Sequence, residues 1–202
     1  DHYFEALRAG HSGQALDLYG LDYLMDEVIE DNSGHILEES VLAIHKLKCA
    51  APSYYLARIG ALLGGGSEIQ INALAYFYEA LGLAFQIIDD TLNIAGFKNN
   101  LKTRAEDITA GKVTYPIARA MHLLEKPDRQ RLWEILKIKT DDPELIKEAV
   151  DILVKVDALN ICEQDARDIM DAGWRALDPN VRNSMVKLYL RAFSWYVLER
   201  HY

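Results

Sequence analysis

The sequence predicts an all-α fold, a helical bundle without a sheet, and three observations predict it. Ala, Leu, Glu, Lys and Ile dominate, and they favour or tolerate helix. Long stretches repeat their apolar residues at steps of three and four, the period of a helix with one buried face. No stretch alternates apolar and polar residues as a half-buried strand would, and no internal repeat or Pro- or Ser-rich linker breaks the chain. With 202 residues, half of them apolar, the chain can bury a core, and a single domain over residues 1–202 is expected.

Ile36 to Leu63 forms the first long helical stretch, stopped by Gly64, Gly65 and Gly66. These glycines end a helix rather than cradle a phosphate, because no strand precedes them and no Lys-Ser/Thr follows. Ser67, with Gln70 three residues on, forms a capping box before an apolar run. The helix it opens is expected to run through Ala95, with Gly96 ending it, on the order of 40 Å at about 1.5 Å per residue. Its middle, Ala80 to Ile88, is almost all apolar or small, as a helix surrounded by others should be. Further helices are expected to start at Pro127-Asp128, Asp142-Pro143-Glu144 and Asp178-Pro179, each with an acidic cap or a first-turn proline.

Composition excludes several functions. The formal charge of −9 is a poor basis for binding nucleic acid, which wants a basic face. Cys49 and Cys162 are far apart with no CxxC, and read as thiols of a reducing compartment, so a cytoplasmic location is expected. The six histidines show no metal-ligand spacing. No transmembrane segment is expected, since Arg58, Glu79, Gln86 and Asp89 interrupt every candidate run. The chain begins with Asp1 rather than Met, so a fragment, a processed product or an ordered remnant of something longer is expected.

The chemistry concentrates in the central helix and the segment after it. Phe85-Gln86-Ile87-Ile88-Asp89-Asp90-Thr91-Leu92-Asn93 sets polar side chains in the most apolar part of the chain. On a helix, Gln86, Asp89, Asp90 and Asn93 share one broad face. Asp89 is expected to face a cavity rather than bulk solvent. Adjacent carboxylates in apolar surroundings repel, so a positive partner is expected, and an oxygen-rich site with few protein ligands suits Mg²⁺. Lys98, Lys102, Arg104 and Lys112 then outnumber Glu106 and Asp107, which fits a basic segment for metal-bound diphosphate. A solvated charge run beside a salt-bridged pair is the alternative.

FQIIDDTLN followed by KTRAEDITAGKVTYP resembles the second aspartate-rich region of the trans-isoprenyl diphosphate synthases, with its pattern FQ-x-x-DD-x-x-D/N, a lysine, then DI-x-x-GK-x-[TS]-x-P. Phe85, Gln86, Asp89, Asp90, Asn93, Lys102, Asp107, Gly111, Lys112, Thr114 and Pro116 occupy the fixed positions. Gly13, Gln14 and Asp17 resemble the family's GQ-x-x-D helix, and Lys48-Cys49-Ala50-Ala51-Pro52 its Lys-Thr-Ala-Ala segment. The likeness covers residues 5 to 120.

That resemblance implies a helical bundle of the isoprenoid synthase type, and a prenyltransferase that joins isopentenyl diphosphate to an allylic prenyl diphosphate. It implies Mg²⁺ on Asp89, Asp90 and Asn93, catalytic roles for Lys48, Gln86 and Asp89, and substrate contacts from Gln14, Asp17, Lys48, Cys49, Gln86, Lys102 and Lys112. It also implies prenyl diphosphates as substrates, a geranylgeranyl or farnesyl type of product, and a homodimer. Asn93 stands where the last aspartate is usual, and Cys49 where threonine is usual. The family's first DDxxD and amino-terminal helices do not occur here, so the chain alone is expected to be inactive. A silent regulatory subunit and a terpene cyclase on the same scaffold are the rival readings.

Overall fold

The computed structural model describes residues 1–31, 33–98 and 105–200, and every regular element among them is helical. In chain order these are α1 (His2–Tyr19), α2 (Met25–Asp31), α3 (Gly34–His45), α4 (Ala51–Leu63), α5 (Glu68–Lys98) and α6 (Glu106–Thr109). They continue as α7 (Tyr115–Leu123), α8 (Lys126–Lys137), α9 (Pro143–Lys155), α10 (Ala158–Leu177) and α11 (Met185–Glu199). The all-α class is thus observed.

Local chemistry accounts for most boundaries. The Ser67 amide donates to Gln70 Oε1 at 3.0 Å and the Gln70 amide to Ser67 Oγ at 3.4 Å, so the capping box forms and starts α5. Asp142 Oδ1 accepts from the Glu144 amide at 2.9 Å and caps α9. Pro127 lies in the first turn of α8, where a missing amide proton costs nothing.

Three expectations are corrected. Helix α5 passes through Gly96 and ends at Lys98. A glycine ends a helix by turning left-handed, and Gly96 is not among the glycines with positive φ. Asp178–Asn180 form a 3₁₀ turn following α10, and α11 starts instead at Ser184, whose Oγ accepts from the Lys187 amide at 3.2 Å. The stretch expected as one helix over 36–63 is divided. Between α3 and α4, Lys46–Ala50 form a wider π turn, with the Ala51 amide bonded to Lys46 O, five residues back. Pro52 supplies a reason: it has no amide proton to give Lys48 O, and its ring crowds that carbonyl in a regular α-turn.

The expectation about membrane spans also needs adjustment. Among the described residues Glu68–Gly96 is long and apolar enough to cross a membrane by length and composition, with 61% of its most apolar window buried. A buried central helix of a soluble protein meets the same criterion.

The chain divides into two compact units. One comprises Asp1–Leu18, Ala43–Ile88 and Gln164–Arg200. Its core includes Phe77, fully buried and edge-on to Trp174 with ring centroids 6.0 Å apart. Burial of one such ring contributes about 1.5–3 kcal/mol. The Arg191 guanidinium stands 5.0 Å from the Trp174 centroid and donates to Asp171.

The other unit comprises Tyr19–Leu42 and Asp89–Glu163. Here α8 packs against α2 and α9, and α9 also meets α6 and α7. Met25, Ile117, Met121, Leu132 and Leu136 are wholly buried. Glu38 on α3 accepts from Arg119 at 3.0 Å and lies 2.7 Å from His122 Nδ1, which ties α3 to α7.

Candidate active-site residues

In the first unit the site residues gather at the π turn. Lys48 Nζ donates to Asp17 Oδ2 on α1 at 2.7 Å, and both side chains are partly buried. Cys49 Sγ donates to Gln86 Oε1 on α5 at 3.2 Å. Two glycines hold this turn between neighbouring helices. A Cβ at Gly13 would lie 2.3 Å from Lys48 N, and one at Gly82 would lie 2.8 Å from Cys49 O. Neither helix can approach so closely with a side chain at that position. The glycine of the GQ-x-x-D match therefore serves packing, while its aspartate serves charge. Gln14 of the same match is exposed.

An apolar groove of about 930 Å³ follows α4 from this turn. Ser53 lines it and also donates to Cys49 O at 2.8 Å. Leu56, Ala57, Gly60, Leu74 and Tyr78 continue its wall. From Ser53 to Gly64 the helix provides roughly 16 Å of wall at about 1.5 Å per residue. A polar head with a long apolar tail is the shape an amphiphile requires.

In the second unit the acidic motif separates into different roles. Asp89 is exposed, whereas Asp90 is 3% exposed. The expectation that Asp89 faces a cavity is therefore corrected. Neighbours on a helix point about 100° apart, so turning one carboxylate inward turns the other out. The two carboxylates therefore do not form a buried pair. Asp90 Oδ2 accepts from the Tyr115 amide at 3.1 Å, at the first turn of α7. A carboxylate there meets both an amide left over by the helix start and the positive end of its dipole, and contributes about 1–2 kcal/mol. Asn93 Oδ1 accepts from the Asp107 amide at 3.3 Å, at the start of α6.

Lys112 follows α6 in a turn that glycine makes possible. Gly111 has φ +67°, its amide donates to Ile108 O at 3.0 Å, and the Lys112 amide donates to Asp107 O at 2.8 Å. This is a Schellman ending, with glycine at the left-handed position. A Cβ at Gly111 would also lie 2.5 Å from Leu136 O. Lys112 is half-buried. Lys102 and Arg104 lie outside the described residues, so their expected phosphate contacts are not placed.

Sequence reasoning missed three participants. The Tyr115 amide carries no side-chain signal at all. Gly82 lies in a run of small residues that reads simply as a buried helix. Arg200 stacks on Phe85, 4.1 Å from the ring centroid, and donates to Phe85 O at 3.3 Å. The only signal for the π turn was Pro52 inside an otherwise helical run.

The donor set fits Mg²⁺ in one respect. An exposed carboxylate such as Asp89 suits an ion that keeps its waters and shares itself with phosphate oxygens. Among the described residues no three His, Cys, Asp or Glu side chains come together as a cage.

The chain resembles known proteins along most of its length. It is 31% identical over 191 residues to a short chain isoprenyl diphosphate synthase of Methanothermobacter thermautotrophicus, covering 94% of this chain and 55% of that protein. Its fold matches the crystal structure of a geranylgeranyl pyrophosphate synthetase from Pyrococcus horikoshii with a TM-score of 0.82 and 26% identity, over 99% of this chain and 57% of the other. A Corynebacterium glutamicum geranylgeranyl pyrophosphate synthase, solved in complex with isoprenyl diphosphate and magnesium, shares the fold at a TM-score of 0.79 and 24% identity, over 100% of this chain and 55% of that one. The chain thus spans little more than half the length of these relatives. Residues 2–153 match the polyprenyl synthetase family, and on that match and the 31% identity the chain belongs to this family.

Proposed function

We propose that this chain carries part of the active site of a trans-prenyl diphosphate synthase of the geranylgeranyl or short-chain type. Such an enzyme condenses an allylic prenyl diphosphate with isopentenyl diphosphate. One observation carries the reading: the Asp17–Lys48 and Cys49–Gln86 pairs meet at the π turn, and Ser53, whose hydroxyl donates to Cys49 O, lines the apolar groove that runs on along α4. A prenyl diphosphate has the same division into charged head and apolar tail.

In this proposal Lys48 exchanges Asp17 for diphosphate oxygens, since a cation held by a side chain can change partner without unfolding a helix. In the second unit, as the family resemblance implies, Lys112 would contact diphosphate oxygens and Asp89 would hold the ion. When bound, Mg²⁺ supplies positive charge that stabilises the departing diphosphate. Gln86 and the Cys49 carbonyl direct oxygen dipoles towards the allylic cation. The groove walls keep water from it.

The proposal is tested by titrating the 202-residue chain with farnesyl diphosphate, with and without Mg²⁺, in a calorimeter. Binding that depends on Mg²⁺ is expected; none at any Mg²⁺ concentration would overturn it. No extractable product is expected from this chain alone with both substrates, because it carries one acidic motif and the proposed mechanism encloses the leaving group between two. Product formation would show that one motif suffices.

A further inference from the structure

We propose that Asp90 and Asn93 are positioning residues that fix the turn carrying Lys112. The inference rests on the function proposed above. It departs from the reading in which all three side chains ligate metal.

Three observations support it. Asp90 is 3% exposed and spends Oδ2 on the Tyr115 amide, which leaves little room for an ion that keeps several waters. Thr114, at the cap position of α7, makes no side-chain cap bond, and its buried Oγ1 has no hydrogen-bond partner among the described residues. The cap for α7 comes instead from Asp90 on α5. Asn93 has a single atom able to ligate a metal, Oδ1, and that atom accepts from the Asp107 amide.

The two bonds bracket one short segment. Asp107 stands in the first turn of α6 and Tyr115 in the first turn of α7, with Gly111 and Lys112 between. Pinning both helix starts to α5, while Gly111 closes the turn against Leu136 O, determines where the Lys112 ammonium can reach. The motif then has two internal anchors, Asp90 and Asn93.

The test uses amide hydrogen exchange together with calorimetry of Mg²⁺ and inorganic diphosphate, on the unaltered 202-residue chain and on single variants. First-turn amides of a helix normally exchange freely, so protection at Tyr115 reports the Asp90 bond directly. Asp90→Ala is expected to speed exchange at Tyr115 about tenfold or more, the factor that 1.4 kcal/mol makes. Asp90→Asn keeps an acceptor oxygen, so Tyr115 should stay protected and the Mg²⁺ midpoint for diphosphate binding should stay in place. Asp89→Asn should move that midpoint about tenfold while leaving Tyr115 protected, the expected pattern when a ligand is lost rather than an anchor.

An Asp90→Asn variant that shifts the Mg²⁺ midpoint as far as Asp89→Asn would make Asp90 a ligand and overturn the proposal. So would a Tyr115 amide that is unprotected in the unaltered chain. If Asp90→Ala does not fold, Asp90→Asn alone decides. Should no form of the chain bind Mg²⁺ and diphosphate, the proposed function falls, and exchange at Tyr115 still decides the anchoring role.

Discussion

The π turn of the first unit and the acidic motif of the second both set polar side chains beside apolar helices, yet they settle them differently. At the π turn the partners are side chains: Lys48 with Asp17, and Cys49 with Gln86. In the acidic motif Asp90 and Asn93 each accept from a backbone amide at a helix start, Tyr115 and Asp107 respectively. A side-chain partner can be exchanged for a ligand at the cost of two rotamers. A backbone partner cannot be given up without loosening the helix it caps. The first arrangement suits recognition and the second suits support, although the residues look equally chemical in the sequence.

The largest test of this contrast is Gly13→Val. Its Cβ would meet Lys48 N at 2.3 Å, so the π turn or α1 must move. A loss of about 3 kcal/mol is expected, or roughly 6–12 °C in melting midpoint. Gly60→Ala is the control: nothing lies within 4 Å of its Cβ, and melting should be unchanged or slightly higher. Equal melting of Gly13→Val and the unaltered chain would show that the π turn is not held by that close approach.

Next in size is Lys48→Ala. Because its pair with Asp17 is exchangeable, stability should fall by less than about 1 kcal/mol. Binding of Mg²⁺ with diphosphate should weaken about tenfold at low salt, and the loss should shrink as salt screens the contact. Lys112→Ala should show the same salt pattern with a smaller loss. A Lys48→Ala chain that melts far lower yet binds as before would make the pair structural and erase the distinction.

The smallest effect is expected where neither region is involved. Arg131 on α8 makes two hydrogen bonds to Glu148 on α9, at 2.6 and 2.8 Å, and these hold the Glu148 carboxyl below its usual range. A carboxyl lowered on folding contributes stability above its unfolded pKa, and the contribution is lost as pH falls through the folded value. Glu148→Gln should therefore lower the melting midpoint slightly at neutral pH, with the difference vanishing in acid. Both side chains are half exposed, so the effect is small, and diphosphate binding should not change. A difference that persists well below the ordinary glutamate range would assign it to packing.

What the sequence determined by itself is the part written in local rules. The helical class follows from period and composition. The Ser67–Gln70 box, the Asp142 cap and the helix end before Gly64 follow from bonds between residues a few positions apart. The site residues were legible as a motif for the same reason, since DDTLN and AGK each sit within one or two turns. Tertiary structure alone decided what each of them does. Whether Asp89 or Asp90 turns inward depends on which side of α5 meets the start of α7, twenty-five residues further on, and two identical side chains carry no mark of it. The role of Gly13 appears only when α1 lies against Lys48, and that of Gly82 only against Cys49. The pairing of Lys48 with Asp17 joins residues thirty-one apart. A side chain's chemistry is local, but its partner is chosen by packing between distant segments.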